Sequence, residues 1–234
     1  VPNTSFDNPL ADLLGNLPPA VQLFEQLAKR GSKLIFVSSG GTVYGDQPIL
    51  PIPETANTTP ISPYGVTKLT LEKYAALYRA THGLKVMIVR PANAYGVGQK
   101  PFSGQGFISA AIGSILRNEP VKIFGEVGTV RDYIYVQDLA DGIAAALAHG
   151  TEGEIYNIGS GQGVSNLELV EILAPIMKEI GYQPALVHLP ERIFDVKANV
   201  LDSSKLKSAA GWQAETTLNE GLRLTRDWLR GQFE

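Results

Sequence analysis

The sequence predicts an α/β fold, a doubly wound parallel sheet followed by a smaller α/β lobe, and three observations carry that reading. Two short runs, Lys33-Leu-Ile-Phe-Val-Ser38 and the stretch 84–89, are apolar and partly β-branched, the pattern of strands buried on both faces. Helix-patterned segments precede and separate them, and a loop leaves each at its carboxyl end, giving the order helix–strand–helix–strand. After Gly98 the texture changes to a glycine-rich segment, then to short strands and helices without an internal repeat. The predicted division is 1–98 for the main sheet, with parts of 121–158 returning to it, and 99–234 for the lobe.

Composition narrows the function classes. A chain of 234 residues, 44% hydrophobic and 18% charged, buries a sizeable core as an ordinary globule. The net charge of −3 gives no electrostatic basis for holding nucleic acid or an anionic membrane. No apolar run approaches a membrane span, and the absence of cysteine excludes disulfides and thiolate metal sites. Both fit a soluble protein of the reducing cytoplasm. His82, His149 and His188 lie far apart without ligand spacing, so no metal site is expected.

Taken in order, residues 1–9 are polar, contain Pro2 and Pro9, and read as a loop. A helical pattern follows, broken at Pro18-Pro19, resumed through Val21, Leu23, Phe24 and Leu27, and ended by Gly31 after Lys29-Arg30. The strand 33–38 opens into a glycine-rich loop, 39–45, and a proline-rich connection to Pro60. Ser62 is suited to an N-cap and Pro63 to a first helical position, so a helix starts near Tyr64 and runs to about His82. The strand 84–89 leads into a loop over 90–96. Further on, a helix is expected at about 105–117, a strand at 121–124, a helix at 138–149 and a strand at 154–158. Ser165 and Glu168 stand at capping-box spacing before a helix to Ile180. A strand at 185–189 and helices near 203–210 and 217–230, with Trp212 and Trp228 packing there, finish the chain. In such a sheet, ligands sit outside the carboxyl ends of the strands, so the loops at 39–45, 60–68 and 90–96 should converge on one crevice.

One stretch there carries chemistry. In Ser62-Pro-Tyr-Gly-Val-Thr-Lys68, Tyr64 and Lys68 share a face of the helix one turn apart. A phenol ordinarily ionises near pH 10. A neighbouring ammonium and a helix N-terminus both favour the phenolate, which makes the pair a candidate general acid/base. Alone, the same spacing is more often that of a solvated lysine beside a packed aromatic.

The surrounding motifs decide between these readings. Phe36-Val-Ser-Ser-Gly-Gly-Thr-Val-Tyr-Gly45, the Ser62–Lys68 stretch, Arg90-Pro-Ala-Asn-Ala-Tyr-Gly96, Arg131-Asp-Tyr-Ile-Tyr-Val136 and Tyr156-Asn-Ile-Gly-Ser160 occur in one order. In that order and spacing the chain resembles the extended short-chain dehydrogenase/reductase family, specifically its NAD-dependent nucleotide-sugar epimerases and dehydratases, over essentially every residue. The resemblance implies a Rossmann-like domain binding NAD, a nucleotide-sugar substrate and a homodimer. It implies Tyr64 as the acid/base, with Lys68 lowering its pKa and bonding the nicotinamide ribose. The family's third hydroxyl falls at Gly40, a departure; Thr42 and Ser39 are the nearest hydroxyls, and Thr42, deeper in the loop, is favoured. By the same resemblance Pro91, Ser38 and Asn16 lie on the cofactor side. Asn93, Arg131 and Arg192 contact the sugar diphosphate, Phe124 stacks near the base, and Asp195 binds the ribose. Loop-capping for Thr42 and surface ion pairs for the arginines are the alternatives.

The family also begins with a strand and a Gly-x-x-Gly-x-x-Gly phosphate turn, which no stretch before residue 33 supplies. Two β-α-β units, roughly 60–70 residues, would fill that place, so the sheet is expected to be truncated at its N-terminal side, with weak NAD binding or none by these residues alone. The leading reading is epimerisation of a UDP- or dTDP-linked hexose. A 4,6-dehydratase is disfavoured, because an Asp-Glu pair would be needed where Gly40-Gly41-Thr42 stand. A non-catalytic binding module is the alternative from another class.

Overall fold

The computed structural model describes residues 2–192 and 195–233. The chain starts not with a loop but with helix α1 (Pro2–Asp7), where Pro2 takes a position whose N–H would have no helical partner. Helix α2 (Pro9–Arg30) is capped by Asn8, whose side chain accepts from the Ala11 N–H at 2.9 Å, and stopped by Gly31 in the left-handed region at φ 65°. The expected break at Pro18-Pro19 is absent, and α2 runs through both prolines. The two carbonyls deprived of partners belong to Leu14 and Gly15, which are exposed, so water can serve them in place of the missing N–H groups.

Strand β1 (Lys33–Val37) is followed by a single helical turn, α3 (Gly40–Val43), and then by the long helix α4 (Pro63–His82). The predicted start of α4 holds: Ser62 Oγ accepts from the Gly65 N–H at 3.1 Å with Pro63 in the first turn. Strand β2 (Lys85–Pro91) continues almost directly into β3 (Asn93–Tyr95), where a loop was expected. The remaining elements are α5 (Phe107–Leu116), β4 (Val121–Phe124), β5 (Val130–Tyr135), α6 (Val136–His149), β6 (Ile155–Ile158) and β7 (Gly163–Ser165). After them come α7 (Asn166–Lys178), β8 (Leu186–Leu189), β9 (Ala198–Asn199), α8 (Ser204–Ala210) and α9 (Leu218–Phe233). The Ser165–Glu168 capping box is formed on both sides.

Strands β1 and β6 flank β2, all parallel, with Phe36 opposite Ile88 and Val89 opposite Tyr156. Alternate residues of β2 serve opposite faces. Val86 and Ile88 pack with Phe24, Leu71 and Ala75 of α2 and α4, while Val89 packs with Ala146 of α6, Leu206 of α8 and Trp212. Helices therefore cover both faces of this parallel sheet, the doubly wound arrangement. A second sheet centres on β5, which pairs in parallel with β3 and β9 and antiparallel with β7. Strands β4 and β8 form a parallel pair. The third core cluster joins α5, α7 and α9 around Ile112, Leu173 and Leu222.

Asp132, fully buried on β5, ties these parts together. Its carboxylate accepts from Ser160 Oγ at 2.6 Å and from the N–H groups of Ser160, Gly161 and Leu201 at 2.8–3.2 Å. Four donors on one buried charge hold the end of β6 and the segment after β9 against β5.

Candidate active site

A cleft of about 680 Å³ opens at the carboxyl ends of β1 and β2. The segment after β1 contributes Ser38, Ser39, Gly41 and Thr42; that after β2 contributes Pro91 and Asn93; α4 contributes Tyr64. The convergence expected of the three loops is therefore observed. The cleft continues to a second end lined by Phe124, Arg131, Arg192 and Asp195, so it joins the main sheet to the β4–β8 pair and the β5 sheet.

At the first end, the polar atoms lack partners. Ser38 Oγ, Thr42 Oγ1 and Asn93 Oδ1 are buried and make no hydrogen bond with any described residue. Gln99 Oε1, on another residue lining the cleft, is the same; buried polar atoms are ordinarily satisfied, so this grouping suits a polar ligand. The Tyr64 hydroxyl makes no hydrogen bond to the described residues either; Tyr64 is fixed instead through its backbone N–H, which donates to Ser5 Oγ at 3.1 Å.

Lys68 follows Tyr64 by one turn, with its Nζ 5.7 Å from the Tyr64 ring centroid and donating to the Val37 carbonyl at 3.0 Å. The expected depression of the Tyr64 pKa is not what this geometry produces. Burial, and then the Asp12 carboxylate on α2, push the phenol above its ordinary value. Burial pulls Lys68 down, against the opposing pull of Asp12 and Glu72. Asp12 is held beside the pair by Thr67 Oγ1, which donates to it at 2.9 Å. Nothing in the sequence pattern marked Asp12, because α2 is remote in sequence.

The loop hydroxyls divide by direction. Gly40 faces inward: a Cβ there would lie 2.5 Å from Leu201 Cδ1 and 2.9 Å from the Arg90 carbonyl oxygen. Thr42 and Ser39 face the cleft, Ser39 serving also as a backbone N-cap for α3 without a side-chain bond. Asn16 does not join them. It is exposed on α2, donating to the Asp12 carbonyl at 2.7 Å.

At the second end the Arg192 guanidinium lies over the Phe124 ring, 3.6 Å from its centroid, on the ring expected to stack near a base. Arg131 donates to the Val130 carbonyl at 2.8 Å, and burial draws its pKa down against the pull of Tyr133, Asp195 and Asp46. A buried guanidinium in that condition suits an anion. Gln99 and Phe102, in the glycine-rich segment beyond Gly98, also line the cleft. Sequence reasoning passed over them, the only signal being the clustered glycines around them.

Whether these residues fit NAD can be judged at the nicotinamide side. The Ser38, Thr42 and Tyr64 hydroxyls line the cleft and fit a polar ring bearing an amide and a ribose; Lys68, expected beside them, is not among the lining residues, and its ammonium is bonded to the Val37 carbonyl. Among the described residues, no helix is long and apolar enough to cross a membrane, and no cluster could hold a metal ion.

Comparison with known proteins agrees with this geometry. The profile of the NAD dependent epimerase/dehydratase family matches residues 1–159. The UDP-glucose 4-epimerase of Mycolicibacterium smegmatis is 31% identical over 231 residues, 98% of this chain and 73% of that protein. Among solved structures, the UDP-glucose 4-epimerase of Thermotoga maritima with UDP-glucose superposes with a TM-score of 0.93. It is 36% identical over 99% of this chain and 74% of its own. The Thermus thermophilus UDP-glucose 4-epimerase in complex with NAD gives 0.90, at 34% identity over 98% and 74%.

Proposed function

The chain belongs to the NAD-dependent epimerase/dehydratase family, and we propose on that premise that it serves the 4-epimerisation of a UDP- or dTDP-linked hexose. The observation that carries the reading is that Tyr64 and Thr42 line one cleft, and that neither hydroxyl has a hydrogen bond to the described residues.

In this reading NAD, when bound, supplies a reversible two-electron oxidation of the sugar carbinol carbon, held on the side of Ser38, Pro91, Tyr64 and Lys68. Tyr64 takes the hydroxyl proton as that carbon is oxidised and returns it after the sugar has presented its other face. Thr42 holds the reacting hydroxyl toward Tyr64, with Ser39 beside it. Lys68 keeps a positive charge near the phenol. Asn93, Arg131 and Arg192 hold the diphosphate, Phe124 the base and Asp195 the ribose. The Gly40-Gly41-Thr42 turn offers no carboxyl group to expel water, which weighs against a dehydratase. Residues 1–98, with parts of 121–158, are read as the cofactor-binding unit and 99–234 as mainly the substrate lobe.

A homodimer through α2 and α4 belongs to the same reading. Leu10, Leu14, Leu23, Val66, Tyr74 and Leu77 are exposed on these two packed helices. So does a cytoplasmic setting. The test is incubation with UDP-galactose and NAD, with UDP-glucose quantified by chromatography. Product from the parent chain and none from Tyr64→Phe is expected; ligand binding without turnover would identify a binding module instead.

A further inference from the structure

A buried ionic fork lies behind the cleft, and none of its members touches it. Arg90 on β2 donates from Nε and Nη2 to the two carboxylate oxygens of Glu72 on α4, at 3.0 and 2.6 Å. Its Nη1 donates to the Tyr44 hydroxyl at 2.9 Å, and Tyr44 donates to Asn157 Oδ1 on β6 at 2.8 Å. Asn157 Nδ2 then donates to the carbonyls of Ile52 and Asp202 at 2.9 and 3.1 Å. Both charged side chains are 3% exposed.

The sequence positions of these residues matter more than their strength as a contact. Tyr64, Lys68 and Glu72 recur every four residues, on one face of α4. Arg90 immediately precedes Pro91, and Tyr44 follows Thr42 by two residues. Arg90 and Tyr44 are therefore within two residues of a cleft residue, and Glu72 lies two turns along α4 from Tyr64. Taking two charges out of water costs about as much as their attraction returns, so a buried pair is a poor explanation of stability. A bidentate fork is directional, however, and fixes the slide and rotation of α4 along β2, which apolar side chains would leave free.

We propose that Arg90 and Glu72 are positioning residues for Tyr64, holding the middle of α4 against β2 so that the phenol, two turns earlier on the same helix, faces Thr42 across the cleft. The catalytic importance of that position rests on the reading of the site given above; the positioning itself does not. The charged groups facing Tyr64 are Asp12 from α2 and Lys68 from its own helix; both stay in place in the test, although loss of Glu72 also removes a charge that raises the Lys68 pKa.

The experiment is an ultraviolet difference titration of the full chain against Tyr64→Phe, which isolates the Tyr64 phenol. It is repeated with Arg90→Met and Glu72→Met installed together, the fold being checked by circular dichroism. Loosening α4 lets water reach the ring, so the midpoint is expected to fall toward the ordinary value of about 10. Turnover should drop by about 100-fold with KM little changed, the signature of a misplaced reacting group. A folded double variant with the parent's midpoint overturns the proposal. If the double variant does not fold, Arg90→Lys, which keeps both charges but loses the two-pronged geometry, carries the same titration, and an unchanged midpoint there overturns it equally. Absence of turnover in the parent chain would instead remove the epimerase reading, while the titration still decides the positioning role.

Discussion

Removing the Tyr64 hydroxyl separates chemistry from folding more cleanly than any other single change. In Tyr64→Phe the ring stays in place, and the lost oxygen has no hydrogen bond to the described residues to break. The backbone N–H that docks on Ser5 Oγ is untouched. Stability should therefore move by about 0.5 kcal/mol or less, the range of substitutions that disturb no packed or bonded feature. Turnover should fall by the contribution of a positioned acid/base, about 10²–10⁴-fold, which is about 2.7–5.5 kcal/mol of barrier. Urea unfolding gives the first quantity, and initial rates of UDP-galactose conversion with saturating NAD give the second. A variant that keeps more than about a tenth of parental kcat lies outside that range and would refute the assignment of the proton to Tyr64.

Four further outcomes follow from the same geometry. Thr42→Val replaces an unpartnered buried hydroxyl with a methyl, so it should stabilise the fold by up to about 1 kcal/mol while lowering kcat about 100-fold; a normal kcat would shift the role to Ser39. Gly40→Ser restores the family's usual hydroxyl but drives a Cβ against Leu201 and two backbone oxygens. It should cost about 1–3 kcal/mol in urea unfolding without raising activity, and a stable, faster variant would contradict the inward direction of residue 40. Asp132→Asn turns one acceptor into a donor among four donors and should cost about 1–3 kcal/mol by the same assay; no loss would mean the knot is not structural. Asp12→Asn removes a charge that raises the Tyr64 pKa, so the phenol's titration midpoint must move down; no movement, or an upward one, would show that this charge does not reach the ring.

Much of the fold was legible because it is written in local signals. The strand 33–37, the Ser62–Pro63 helix start, the Ser165–Glu168 box and the strand 121–124 each follow from neighbouring residues. The continuous α2 was not legible, since proline's local penalty is read without knowing that the stretch has water beside it and α4 packed along it. The short strands β7 and β9 carry no pattern of their own and exist only because β5 offers them an edge. At the cleft, Tyr64, Thr42, Asn93 and Pro91 came together as the motifs led one to expect, each close to a strand end. The electrostatics around Tyr64 could not be read from its own helix, because Asp12 acts from 52 residues away in sequence.

The Arg192–Phe124 contact bears on how a nucleotide would enter. With a guanidinium 3.6 Å from the ring centroid, one aromatic face is already taken, so a base received there, as proposed above, would exchange with a resident cation. The released side chain then becomes available to the phosphates, so one rotation both clears a platform and frees a clamp. On that proposal, affinity at that end would be set by the difference between two stacking partners. Shortening residue 192 would trade anion capture for easier entry.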